Sequence, residues 1–119
     1  MTSVPAQNPS RAGQPRREDR KRTVLPGKVV YNHGAFSFDC TIRNLSAVGA
    51  RIDVPPVQIA PSHFHLIDLK NGMVHDAEVM WIASSQRGLR FIRSYPIEGV
   101  LPPGREFLKR MWNNSGARS

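Results

Sequence analysis

The sequence predicts an all-β domain, a six-stranded antiparallel barrel with a short C-terminal helix and a basic N-terminal arm. Three observations carry this. Between residues 23 and 92, apolar and polar residues alternate with the two-residue period of half-buried strands. Ten prolines and nine glycines interrupt these runs, which suits turns between strands. The length of 119 residues suits one domain with one core. Closing six such strands into a barrel removes exposed sheet edges.

Residues 1–15, MTSVPAQNPSRAGQP, bury too little apolar surface to offset ordering entropy and are predicted to be disordered. Residues 16–22, RREDRKR, form a charge run read as an arm. The first strand spans 23–31, and Asn32-His33-Gly34 supplies hairpin-turn chemistry. In the second strand, 35–43, Phe36, Phe38, Cys40 and Ile42 share one face, with Ser37, Asp39, Thr41 and Arg43 on the other. A corner at 44–49 leads to a third strand at 48–54, where Val48, Ala50, Ile52 and Val54 share a face.

Prolines 55, 56 and 61 make the next segment a loop. The fourth strand, 62–69, is apolar on both faces at its centre. Asn71-Gly72 suits a type I′ turn. The fifth strand, 73–82, sets Ala77, Val79 and Trp81 on one face, which makes Trp81 a core residue. Residues 84–87 turn the chain, Gly88 reads as a turn glycine, and residues 88–92 form the last strand. Pro102-Pro103-Gly104 opens a helix in which Phe107 pairs with Met111 and Leu108 with Trp112. A helix this short must dock its apolar side on the barrel. The barrel with its helix spans 23–112, and 113–119 is a frayed tail.

The net charge of +8 is unevenly placed. Residues 1–22 hold six basic against two acidic residues, residues 23–100 seven against six, and residues 101–119 four against one. A nearly neutral body with basic ends argues against a nucleic-acid-binding barrel, whose own face would be basic. It points to an anionic partner held by the arm against the body. No stretch reaches the roughly 20 apolar residues of a membrane span, and no apolar segment follows the N-terminal arginines. The reading is therefore a cytoplasmic protein. The single cysteine, Cys40, is a core residue on its parity.

Catalysis finds no support. No nucleophile adjoins a histidine, no glycine-rich loop precedes a helix, and no paired carboxylates are recognisable. His63 and His65 share a strand face and His75 is placed on the neighbouring strand, but no cysteine pair or acidic cluster joins them. They are read as ordinary histidines, with no metal and no cofactor expected.

Two motifs remain. Arg16 and Arg20 have the spacing R-x-x-x-R, and Asn44, Ser46 and Gly49 the spacing N-x-S-x-x-G. With an arginine arm before the first strand and a corner after the second, the chain resembles the PilZ domain family. The resemblance runs through LPGKVVYN, FSFDCTIRNLSAVGARI, HLIDL, DAEVMW and GLRFI, roughly residues 16–93. It implies a barrel that binds cyclic di-GMP, a bacterial second messenger. Arg16, Arg17 and Arg20 are the expected ligand-gripping residues, since a guanidinium can hold a phosphate or the O6/N7 edge of guanine with two parallel bonds. Asn44 and Ser46 offer hydrogen bonds to base or phosphate, and Gly49 lets a base edge approach the strand. Arg51 and Arg90 lie on the outward parity. Asn44 stands where the family often has aspartate, and Glu18 and Asp19 lie inside the arginine spacer.

The expected mechanism is an arm that orders over the barrel on binding and presents a new surface to a separate protein effector. The alternatives are a PilZ-like adaptor that contacts proteins without ligand, and a small RNA-binding barrel.

Overall fold

The computed structural model describes residues 21–56 and 60–114. The predicted disordered tail, the arm residues Arg16, Arg17 and Arg20, and the end of the predicted frayed tail lie outside the described residues. The chain runs β1 (Lys21–Tyr31), a 3-10 turn (Asn32–Gly34), β2 (Phe36–Leu45), β3 (Gly49–Asp53), β4 (His63–Asp68), β5 (Met73–Ala83), β6 (Gln86–Pro96) and α1 (Phe107–Asn114). The strands close into an antiparallel barrel in the order β1-β2-β3-β6-β5-β4. No helix among the described residues is long and apolar enough to cross a membrane. β1 begins at Lys21, so the last two residues read as arm are strand. α1 runs to Asn114, two residues into the segment read as tail.

The inward parity of β2 holds for Phe38, Cys40 and Ile42, which are buried with Val29, Ala50, Ile52, Leu66 and Leu89 inside the barrel. Burial pushes the Cys40 thiol up to about 12, so it is an inert core group. Phe36 departs from its predicted place. It opens the strand half-exposed and stacks on Tyr31 with ring centroids 5.3 Å apart.

A second core lies on the outside of the barrel. Adjacent strand residues face opposite sides of a sheet. Val29 and Leu66 therefore fill the interior, while Val30 and Ile67 join Val74, Tyr95, Ile97, Leu101, Leu108 and Trp112. The chain from Ile97 to Trp112 covers this outer patch, which is why the fourth strand is apolar on both faces. The ring of Phe107 has edge contacts with His33 and His65, at 6.1 and 5.7 Å between centroids. The loop residues Asn32, His33 and Gly34 all take positive φ, and a side chain at Gly34 would press on Phe107.

The β4–β5 connection differs from the predicted two-residue type I′ turn. Asp68 pairs with Met73, so four residues bridge the strands, and only Gly72 takes positive φ. The buried carboxylate of Asp68 organises the loop. Its Oδ1 accepts from the backbone N–H of Lys70 (3.0 Å) and Asn71 (2.9 Å), and its Oδ2 from Asn71 Nδ2 (2.8 Å). A local acceptor of this kind displaces the tighter hairpin geometry.

Candidate functional site

The corner between β2 and β3 is built by Ser46. Its Oγ accepts from the backbone N–H of Val48 and of Gly49, each at 3.2 Å, while its own N–H donates to the Gly49 carbonyl at 2.9 Å. Gly49 has a packing role. A Cβ there would lie 2.3 Å from the Leu89 carbonyl oxygen, so its bareness lets β6 come close.

A bulge at Arg43 aims Asn44. Ile42 pairs with Ile52 but Asn44 with Arg51, leaving Arg43 unmatched. Strict alternation from Phe38 would turn Asn44 inward; the bulge turns it outward and returns Leu45 to the core. A second bulge does the same on β5. Val79 pairs with Leu89 and Trp81 with Gly88, leaving Met80 unmatched. Trp81 is therefore not the core residue that its parity predicts; it is 46 % exposed. Its indole lies against Gly88, where a Cβ would meet Nε1 at 2.0 Å. Gly88 is correspondingly a strand residue, not a turn residue, and its missing side chain seats the ring.

These registers align one row across five strands: Arg22, Asn44, Arg51, Gly88 and Trp81, on β1, β2, β3, β6 and β5. Cross-strand partners share a face, and the flanking row of Ala50, Leu89 and Val79 faces the interior. The row from Asn44 to Trp81 thus lies on the outer face. Two grooves open along it and share Arg51. One, about 420 Å³, is lined by Thr23, Val24, Arg43, Asn44 and Arg51. The other, about 270 Å³, includes Gly49, Arg51, Met80, Trp81, Gly88 and Arg90. The Nε of Arg51 is buried and has no hydrogen-bond partner among the described residues. A second row, Gly49, Arg90, Glu78 and His63, runs beside the first on β3, β6, β5 and β4.

The face thus brings together two of the three residues of the corner motif, a cationic side chain and an exposed aromatic ring. Such a set can hold an anion that carries a flat base: guanidinium for phosphate, amide for a base edge, indole for stacking. The larger cavity of about 470 Å³, lined by Val54, Ala60, Phe64, Met80, Ile82 and Arg87 among others, is mostly apolar and offers one guanidinium.

The histidines separate. His75 is buried with its ring stacked 3.9 Å from Phe91, and its Nδ1 meets the Ser94 hydroxyl at 2.7 Å. Burial holds it down to about 4, against weaker pulls from Asp68 and Asp76. His65 Nδ1 lies 2.7 Å from Asp76, on the outer face with the C-terminal segment. Asp76 also accepts from Tyr95 Oη (2.9 Å) and Arg105 Nη2 (3.1 Å). Burial raises this carboxyl, but the three hydrogen bonds outweigh it and hold Asp76 below its ordinary value. Among the described residues no three His, Cys, Asp or Glu side chains are grouped to hold a metal.

Comparison with curated proteins finds no match. The family model described as PilZ domain matches residues 14–99, a span that includes the arginine arm, the corner and all six strands. With that match covering most of its length, and with the closed six-stranded barrel the sequence implied, the chain belongs to the PilZ domain family.

Proposed function

We propose that the chain is a receptor for cyclic di-GMP that signals to a separate protein. The family is one of cyclic di-GMP-binding or adaptor domains. The observation that carries the reading is the five-strand row from Arg22 to Trp81. Lys21 pairs with Leu45 and Arg22 with Asn44, so the chain enters the barrel beside the corner. Arg20 is one residue away, and Arg16 is at most about 14 Å of extended chain beyond it. This short tether supports a role for both arginines at a ligand on this face.

In this reading Arg16 and Arg20, with Arg17 beside them, grip the phosphates and a guanine edge. Asn44 accepts from or donates to a base. Ser46 keeps the corner in shape, and Gly49 keeps β6 against it. Arg51 supplies a fixed cation, and Trp81 a surface on which a guanine stacks. The arm orders on binding, and the new surface meets the effector.

Thermal unfolding with and without ligand tests this. A ligand that binds only the folded state at 100 times its Kd adds about 2.7 kcal/mol, so Tm should rise by about 10 °C. An unchanged Tm would instead favour a ligand-independent adaptor. That second reading draws on the exposed run Met80, Trp81 and Ile82, which also suits a protein contact.

A further inference from the structure

Arg90 lines the groove with Gly49, Arg51 and Trp81, and its guanidinium is engaged by a carboxylate of β5. Both Nε (3.2 Å) and Nη2 bond to the same carboxylate oxygen, Oε1 of Glu78. In the register Arg90 stands between Gly49 on β3 and Glu78 on β5. It can therefore serve either the corner or the carboxylate. Glu78 has a further neighbour, His63, whose Nε2 is 3.7 Å from Oε2.

The two side chains of the pair are 59 % and 29 % exposed. Ion pairs this accessible contribute little to stability, so their exchange for a better partner is cheap. A phosphate oxygen or the O6/N7 edge of guanine is such a partner, since each accepts two parallel guanidinium bonds. Meanwhile the Glu78 carboxylate is the acidic group of this second row, and it lies on the flank of a groove that has to accept an anion. Its bonds occupy the cation that would welcome the ligand.

Resting on the cyclic dinucleotide reading, we infer that Glu78 sets the affinity of the site by holding Arg90 away from the ligand. Binding transfers the Arg90 guanidinium from Glu78 to a phosphate or guanine oxygen. Glu78 is then a restraining residue, and Arg90 a ligand contact that the two sequence motifs do not include.

The test is calorimetric titration of cyclic di-GMP into the full chain and into Glu78→Gln, Arg90→Ala and the double variant, at two salt concentrations. Glu78→Gln should bind roughly three- to tenfold tighter, with a steeper loss of affinity at high salt. Arg90→Ala should bind several-fold weaker, and the double variant should match Arg90→Ala within about twofold, because the gain works through Arg90. Equal or weaker binding by Glu78→Gln overturns the inference. So does a gain that persists without Arg90, which would mean that Glu78 acts by charge alone. If wild type binds but Glu78→Gln does not differ, the receptor reading stands and the restraint fails. If wild type ignores the dinucleotide, both fail.

Discussion

The indole of Trp81 occupies the space that a side chain at Gly88 would need, with a Cβ there only 2.0 Å from its Nε1. Gly88→Ala should therefore push the ring off the sheet. The ring is half-exposed and belongs to a side chain rather than the backbone, so the stability cost should stay below about 2 kcal/mol. Stacking of a base on an aromatic ring is worth about 1–3 kcal/mol, so dinucleotide affinity should fall about tenfold or more. Trp81→Ala should give the same loss. Calorimetry measures the affinity, and tryptophan fluorescence reports the displaced ring. Undiminished binding by both variants would remove Trp81 from the site.

Gly49→Ala should act on stability instead. The obstructing atom is the Leu89 carbonyl oxygen at 2.3 Å, which belongs to the β6 backbone and cannot swing aside. Relief requires β3 and β6 to part where Gly49 pairs with Arg90. A loss of about 2–4 kcal/mol in urea unfolding is expected, larger than for Gly88→Ala. The reverse order would contradict the packing described.

His75 makes stability depend on pH. Its folded value is about 4 against an ordinary 6.5, with burial as the main cause. The unfolded chain therefore takes up a proton before the folded one does. The stabilisation is fully present above about pH 6.5 and is lost as pH falls toward 4, up to about 3 kcal/mol. His75→Phe, which keeps a ring against Phe91, should flatten the slope of unfolding free energy between pH 6.5 and 5. An unchanged slope would show that other groups titrate there.

Asp76 ties the C-terminal segment to the barrel. It accepts from Arg105, Tyr95 and His65, which leaves three polar groups unpaired if the carboxylate is removed. Asp76→Ala should cost about 3 kcal/mol. Because the folded carboxyl is held below its ordinary value, this stabilisation is present at neutral pH and is lost in acid, below the usual carboxylate range. Hydrogen exchange should show the amides of α1 losing protection before those of the barrel. Uniform loss would mean that the helix and barrel open together.

The barrel was legible because its strands keep a two-residue period wherever the ladder is regular, as from Phe38 to Ile42. The apolar double face of the fourth strand was also visible, and the amphipathic pairs Phe107–Met111 and Leu108–Trp112 named the element that covers it. What escaped were the irregularities. One unmatched residue at Arg43 and one at Met80 reverse the facing of everything after them, and neither leaves a mark in residue type. Those two bulges are what bring Asn44 and Trp81 onto one surface. The pairing of Trp81 with Gly88 is a usable signal: a bulky aromatic beside a strand glycine on the next strand marks a seated, outward ring. The Asp68-capped loop is not legible in the sequence because a buried carboxylate overrides the local preference of Asn71-Gly72.

The most direct measurement is a calorimetric titration of cyclic di-GMP at low ionic strength into wild type and into the Arg16→Ala/Arg20→Ala double variant. Each charge-assisted contact contributes about 1.5–3 kcal/mol, so the variant should bind at least about a hundredfold more weakly, with the fold and Tm of the free protein unchanged. Equal affinity in the two proteins, or no heat from wild type, would contradict a receptor whose leader arginines close on a dinucleotide at the barrel's outer face.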